Sequence, residues 1–164
     1  MGGEKVANKK TLTKVKIMNI PYNAEDLQHH DALGAVIQNK DGEILMQEHV
    51  KYGFWTLPVG KVKEGQHIAD ALREELFEEC NIVAERWKEI VAKEYMYLRN
   101  GTQVKVSGHL FGILSYTGTI KNKEPDKHTQ QVFLSLEKIQ KLPHLSDFTL
   151  LYLETIGIHR AKNI

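Results

Sequence analysis

Residues 67–80 constrain the fold of this chain more than any other segment, because their apolar side chains recur at the spacing of a helix. Ala69, Leu72, Leu76 and Cys80 fall on one stripe. Asn81 follows directly, and Asn tolerates the left-handed conformation that commonly ends a helix. A helix with one apolar stripe has to bury it against another layer, so this segment predicts a layered fold.

The rest of the chain is rich in short β segments separated by turn residues. Asp41-Gly42 and Asn100-Gly101 are dipeptides typical of hairpin turns. We expect residues 51–66 to be a loop and residues 145–160 to form a C-terminal helix. Strands are predicted at residues 11–19, 30–38, 87–98, 103–116 and 131–136, with a return strand starting at Ile44. Strands interleaved with two helices indicate an α/β (α+β) sandwich.

Length and composition narrow the class of protein. The 164 residues fit one domain, which we place at residues 11–164 behind a loose, Lys-rich tail at residues 1–10. The formal net charge of +1 gives no general attraction to nucleic acid or membranes. No apolar run approaches the roughly 20 residues that span a bilayer. Cys80 is the single cysteine, which favours a reducing compartment, the cytoplasm.

Carboxylates crowd the predicted helix. Glu75, Glu78 and Glu79 stand at positions i, i+3 and i+4 and share one face, where like charges repel. Two interpretations remain open at this point. The face is either a solvated acidic surface, which is common, or a site for a hard divalent cation such as Mg²⁺, which prefers oxygen ligands.

The segments that flank these acids decide between the two interpretations. Trp55-Thr56-Leu57-Pro58-Val59-Gly60 and Arg73-Glu74-Glu75-Leu76-Phe77-Glu78-Glu79-Cys80-Asn81-Ile82 together resemble the Nudix box. That pattern is Gly, five residues, Glu, seven residues, Arg-Glu-apolar-any-Glu-Glu-any-Gly-apolar. The spacing from Gly60 to Ile82 is kept without a gap. Three positions depart from the pattern, with Gln66 in place of Glu, Glu74 in place of Arg and Asn81 in place of Gly.

The resemblance implies a set of site residues. It implies metal ligation of Mg²⁺ or Mn²⁺ by Glu75, Glu78 and Glu79, together with the backbone carbonyl of Gly60. The general base varies among members, and the candidates are Glu78 and Glu124, which lies in a Glu-Pro-acidic-Lys segment before the last strand. We expect Lys61 and Trp55 to contact the substrate. In the family the replaced Glu and Arg are thought to pair, and we expect Gln66 and Glu74 to hydrogen-bond instead.

The resemblance also implies a fold and a reaction. The Nudix fold is an α/β/α sandwich with a mixed sheet between helices. MutT-like members are pyrophosphohydrolases that cleave a diphosphate bond in nucleoside triphosphates or related nucleotides. The alternative is a Nudix-fold nucleotide- or RNA-binding module that has lost turnover, suggested by the changes at Gln66 and Glu74. We expect a small nucleotide as partner, with no membrane or stable nucleic-acid partner, and leave a homodimer open.

Four histidines are further candidates for the site. His29 and His30 are adjacent on a predicted strand, so they point to opposite faces and cannot share a metal ion. His49 and His109 are candidates for the pocket lining, although an ordinary packed histidine is the commoner case. The sequence does not fix the base or sugar that the substrate carries.

Overall fold

The structure, a computed structural model, describes residues 29–99 and 101–159. The predicted tail at residues 1–10 and the predicted strand at 11–19 lie outside these ranges. Seven strands and three helices follow one another in the described part: β1 His29–Val36, β2 Ile44–His49, β3 Trp55–Thr56, β4 Val59–Lys61, α1 Ile68–Cys80, β5 Ile82–Arg99, β6 Thr102–Gly118, β7 His128–Leu134, α2 Leu136–Gln140 and α3 Asp147–Thr155.

The strands form two sheets. The larger sheet has the order β4-β1-β6-β5, and the smaller one has the order β3-β2-β7. Strand β1 pairs with β6 in parallel and with β4 in antiparallel, which makes the larger sheet mixed. The long β5–β6 hairpin contributes the outer half of that sheet, and its register shifts at three bulges between Ala84 and Val91.

Two apolar cores lie on opposite faces of β1, because successive side chains of a strand point to opposite sides. Leu33 and Ala35 pack in the core that contains Leu72 and Leu76 of α1. Ala32 and Val36 belong to the other core, which also contains residues of α2 and α3: Ile139, Phe148, Tyr152 and Leu153. The sheet therefore lies between helices, and the predicted α/β/α sandwich is confirmed.

The predicted helix at residues 67–80 is confirmed as α1, Ile68–Cys80. It begins after His67, and Asn81 ends it in the left-handed conformation with φ of 63°. The backbone N–H of Asn81 donates to carbonyls of the last turn, which satisfies groups that a helix end otherwise leaves without partners. Asn81 thus keeps the left-handed helix end that a glycine at this position would also allow.

Several boundaries differ from the prediction. Residues 51–66 are not wholly a loop, since β3 and β4 lie within them and are too short to show a periodic pattern. The last strand begins at His128 and ends at Leu134, where Ser135 caps the unpredicted helix α2. The C-terminal helix is shorter than residues 145–160, because Ser146 caps its start and Gly157 follows its end with φ of 89°.

No helix in the described part of the chain is long and apolar enough to cross a membrane.

Candidate metal and active site

Helix α1 and strand β4 meet at Glu75 and Gly60. A Cβ added to Gly60 would overlap the side chain of Glu75, whose Oε1 lies only 2.9 Å from that position. Any residue larger than glycine would therefore push the carboxylate away. The glycine that opens the box pattern is therefore required for steric reasons, because the Glu75 side chain occupies the space beside it.

Glu79 is a buried carboxylate with specific amide partners. Its side chain is only about one-twentieth exposed, at 5%. Gln47 of β2 donates from Nε2 to Glu79 Oε1 at 3.0 Å. Gln131 of β7 donates to Gln47 Oε1 at 2.8 Å and to the backbone carbonyl of Glu79 at 3.1 Å. The smaller sheet therefore holds both the position and the orientation of this acid.

The charged form of these acids is costly in the absence of a counter-ion. Burial raises the pKa of Glu79 well above its usual value, and its hydrogen bond with Glu75 raises it further. Burial also raises the pKa of Glu75, although the bond to Glu79 opposes this effect. A bound cation would stabilise the charged form of these carboxylates, since a buried charge without a counter-ion is unstable.

The loop before β7 brings a third acid to the same place. Asn122 Oδ1 accepts from the backbone N–H of Glu124 at 3.2 Å, and the Asn122 amide donates to the His128 carbonyl at 2.8 Å. Lys127 forms a 3.1 Å ion pair with Glu124. The loop is tied to the helix because Lys123 N–H donates to the Glu79 carbonyl at 3.3 Å.

Three potential metal ligands converge at this loop. Glu79, Glu124 and His128 each offer one donor atom, and these atoms lie within 4.8 Å of one another. His128 is not among the site residues predicted from the sequence. Its burial, which the sequence does not show, lowers the pKa of His128 to about 4 and keeps it neutral at neutral pH.

The remaining predicted site residues are not part of the Glu79–Glu124–His128 group. Glu78 is exposed on α1 and interacts through its charge with Glu75. Lys61 follows Gly60 on β4, opposite Ala32. Trp55 packs on the core of the α2–α3 side, and its backbone bonds to His144 and Ser146.

The family follows from a comparison of the whole domain. A family model described as the NUDIX domain matches residues 28–151, well over half of the chain. This chain belongs to the Nudix family. The predicted membership of the Nudix family is thereby confirmed, and Nudix hydrolases generally use divalent metal ions.

Individual Nudix relatives support the same assignment. The "8-oxo-dGDP phosphatase NUDT18" of Danio rerio is 43% identical over 53 residues, which is 30% of this chain but only 16% of that protein's length. A MutT Nudix hydrolase from Burkholderia pseudomallei superposes with a TM-score of 0.67 at 25% identity, over 80% of this chain and 100% of that chain. The Nudix domain of Shewanella oneidensis NrtR, complexed with ADP ribose, superposes with a TM-score of 0.62 over 84% of this chain and 92% of that chain. Its 15% identity shows a likeness of fold alone.

The altered positions of the Nudix box form a polar group of reversed charge. Gln66 Nε2 donates to Glu74 Oε2 at 3.1 Å, as the sequence predicted. Lys63, which the prediction missed, forms a 2.6 Å ion pair with Glu74 Oε1. The anion now stands on the helix and the cation on the preceding loop, so an attraction between loop and helix is retained with opposite polarity.

The histidines named from the sequence have separate surroundings. His29 is exposed and His30 is buried, which confirms that they face opposite sides. The rings of His49 and His128 are 5.6 Å apart, so His49 borders the acidic cluster. His109 instead lies between Glu89 and Asp31, at 2.7 and 3.3 Å, on the larger sheet.

A divalent cation fits the donors of this Nudix site. The acids are oxygen ligands, the type that Mg²⁺ prefers, and the Glu75 side chain lies directly against the backbone of Gly60. The carboxylates of half-buried Glu75 and buried Glu79 are bonded to each other, and a cation between them would relieve their repulsion. This agreement rests on the chemistry of the residues themselves.

Proposed function

We propose that this chain is a Mg²⁺-dependent hydrolase that cleaves a diphosphate bond in a nucleoside triphosphate or another nucleoside diphosphate derivative. The observation that carries the proposal is a chain of neighbouring acids: Glu75 lies against Gly60 and bonds to Glu79, and a carboxylate oxygen of Glu79 lies within 4.8 Å of one of Glu124. Buried acids on rigid elements form a preorganised site for phosphoryl chemistry, which depends mainly on positioning and electrostatics.

We assign the metal-holding role to residues of the Nudix box. Glu75, Glu78 and Glu79, with the carbonyl of Gly60, would hold Mg²⁺ or Mn²⁺. When bound, such an ion neutralises the diphosphate and lowers the pKa of a coordinated water. Gln47 and Gln131 keep Glu79 oriented from the opposite side.

A general base has to take the proton of the attacking water. Glu124 suits this role because it is partly exposed and its donor atom is within 4.8 Å of that of Glu79. The Lys127 ammonium lies 3.1 Å from the Glu124 carboxylate and restrains its position. The water then attacks phosphorus, and the bridging oxygen leaves with the remaining nucleotide or phosphate.

Substrate recognition is assigned to residues around this centre. Lys61 stands one residue from Gly60 on β4, where a cation suits a phosphate of the substrate. Trp55 packs on the core, which favours a role in supporting the binding site. Stacking on the base of the substrate would require an exposed edge of its ring. The Danio rerio relative is named for an oxidised guanine nucleotide, so we include that base among the candidate substrates.

Other parts of the proposal concern the surroundings of the protein. We infer one Nudix domain over residues 11–164, a small nucleotide as partner, and no stable nucleic-acid partner. A cytoplasmic location suits the buried free thiol of Cys80. A homodimer stays open.

The second candidate is a nucleotide- or RNA-binding module without turnover. Its motivation is the replacement of the family's Glu–Arg pair. The Lys63–Glu74 ion pair weakens this candidate, because it supplies a compensating contact where the usual one is lost. The retained acids weaken it further, since a binding module would be free to lose them.

A substrate panel with Mg²⁺ tests the two candidates. The panel contains nucleoside triphosphates, 8-oxo-dGTP, 8-oxo-dGDP, dinucleoside polyphosphates, ADP-ribose and capped RNA, with products separated by chromatography. Selective release of a nucleoside monophosphate that stops on chelation of the metal supports the hydrolase. Tight nucleotide binding by calorimetry without any product would support the binding module instead.

A further inference from the structure

We infer that His128 is a direct ligand of the metal ion and that its nitrogen makes the site bind Mn²⁺ and Co²⁺ more tightly than Mg²⁺. The inference rests on the metal site of the proposed function and deepens it. It concerns a residue outside the Nudix box, supplied by the first position of β7.

The burial of His128 is the first observation. Its side chain is 4% exposed, and it shares the region of Glu79 and Glu124. Its Nδ1 atom has no hydrogen-bond partner among the described residues. The one polar contact of the ring in the described part of the chain is therefore at Nε2, the nitrogen that lies nearer the Glu79 carboxylate.

A chain of hydrogen bonds identifies which nitrogen is the acceptor. The Glu79 backbone carbonyl can only accept, so the Gln131 atom 3.1 Å away is its amide nitrogen. That nitrogen also donates to Gln47 Oε1, so the other atom of the Gln47 amide is its nitrogen. Gln47 Nε2 faces both Glu79 Oε1 at 3.0 Å and His128 Nε2 at 3.3 Å.

It follows that His128 Nε2 carries a lone pair. A donor faces it, so the proton of the neutral ring is on Nδ1. The lone pair of Nε2 thus points into the same region as the Glu79 carboxylate. Neutral imidazole nitrogen in this tautomer is the form that coordinates metal ions.

The distance between the two acceptors matches a shared ion. His128 Nε2 and Glu79 Oε1 are 3.7 Å apart, which is too long for a hydrogen bond. Metal bonds of about 2.1 Å separate two ligands of one ion by roughly 3 to 4 Å. Gln47 bridges the two atoms from one side, and its 3.3 Å contact to the ring is weak enough for an ion to replace.

The nitrogen sets the metal preference. Mg²⁺ takes oxygen ligands and sheds its water reluctantly, whereas imidazole favours transition-metal ions. An imidazole added to the carboxylates of the site therefore raises the affinity for these ions relative to Mg²⁺ above what the carboxylates alone give. Mn²⁺ and Co²⁺ are suitable probes, and both can be titrated without substrate.

Pulsed EPR of Mn²⁺ bound to the wild-type protein tests direct coordination. We expect a ¹⁴N coupling from one coordinated imidazole, which changes to a ¹⁵N pattern when the histidines are labelled. Absence of any nitrogen coupling on stoichiometrically bound Mn²⁺ overturns the inference. This readout needs no variant and no turnover, so it is independent of whether the chain hydrolyses a nucleotide.

Calorimetric titration of variants tests the preference. For the wild type we expect Mn²⁺ and Co²⁺ to bind at least tenfold more tightly than Mg²⁺. His128→Asn should lose at least tenfold in affinity for Mn²⁺ and Co²⁺ and less than about threefold for Mg²⁺, and should alter the visible spectrum of bound Co²⁺. His29→Asn, an exposed histidine bonded to Ser107, is the matched control and should bind all three ions as the wild type does.

The contrary result is equally clear. An equal loss for all three ions in His128→Asn, with an unchanged Co²⁺ spectrum, would assign His128 to positioning of Glu79 alone. Thermal unfolding of the metal-free variants checks that they fold, and the EPR result decides the matter if His128→Asn does not.

Discussion

Gly60 and Glu75 are in contact such that no other residue type at position 60 leaves the carboxylate in place. The two residues come from different elements, β4 and α1, and the contact joins the start of the Nudix box to its first acid. The glycine therefore acts through space on a residue fifteen positions later in the chain.

Gly60→Ala should reduce turnover with little loss of folded protein. The added methyl group displaces the Glu75 side chain, and misplacement of a ligand by about 1 Å can lower rate by roughly 10²-fold. Steady-state kinetics with Mg²⁺ measures the effect. Gly112→Ala is the control, because its methyl group would meet only the flexible end of Ile90 at 3.2 Å. Equal losses in both variants would mean a general strand defect.

The reversed ion pair predicts a specific pattern of rescue. Glu74→Arg alone should lower kcat severalfold, because it places a second cation beside Lys63 and removes the acceptor of Gln66. The double variant Gln66→Glu with Glu74→Arg restores the family's own pairing and should recover most of the activity. A double variant no better than Glu74→Arg would show that the pair does not orient the acids.

Glu124→Gln should lower kcat by about 10²-fold while changing KM little, because it removes a proton acceptor but keeps the shape of the side chain. The pH–rate profile should also lose its acidic limb. Asp126→Asn, an exposed acid in the same loop, is the control and should retain the wild-type rate. A Glu124→Gln enzyme with normal kcat would transfer the role of base to Glu78.

Asp147 predicts a pH dependence of stability away from the metal site. Its Oδ2 is buried without a hydrogen-bond partner among the described residues, and burial raises its pKa from 3.8 to about 7, against the opposing charge of Lys93. Between these two pKa values Asp147 is protonated in the folded state and ionised in the unfolded chain. The contribution of Asp147 to the free energy of unfolding is therefore fully present at low pH. It is lost as pH rises from about 4 to 7.

Denaturant unfolding of Asp147→Asn checks that sign. The wild type should lose stability relative to the variant between pH 4 and 7, and the difference should level off above pH 7. The shift corresponds to at most about 4 kcal/mol at 1.36 kcal/mol per unit of pKa. Other groups cancel in the difference, and Asp70→Asn, an exposed acid in the first turn of α1, should show no such trend. A wild type that instead gains stability relative to Asp147→Asn as the pH rises from 4 to 7 would contradict the assignment.

The parts of the fold that were predictable carry a periodic or turn signal. Helix α1 and its cap at Asn81 follow from an apolar stripe and one residue tolerant of positive φ. The hairpin at Asp41-Gly42 follows in the same way, with Gly42 at φ of 79°. Strands β3 and β4 have two and three residues, which is too few to show any alternation.

The site was predictable only as far as the Nudix box extends. The box places Glu75 and Glu79 on one helix, whereas Gln47 and Gln131 come from strands 84 residues apart in the chain. Their role exists only after β2 and β7 pair, with Gln47 opposite Gln131. Lys63 and His128 were missed for the same reason, since a tertiary contact gives each of them its partner.

Turnover by Glu79→Gln tests the central claim most directly, because Glu79 is the buried acid on which the other contacts converge. The measurement is the rate of Mg²⁺-dependent release of nucleoside monophosphate from the best substrate of the panel. Glu85→Gln, an exposed acid on β5, serves as the control. We predict a loss of about 10²- to 10³-fold in Glu79→Gln and a normal rate in the control. Equal rates in the wild type and Glu79→Gln would contradict the assignment of this site as the hydrolytic centre.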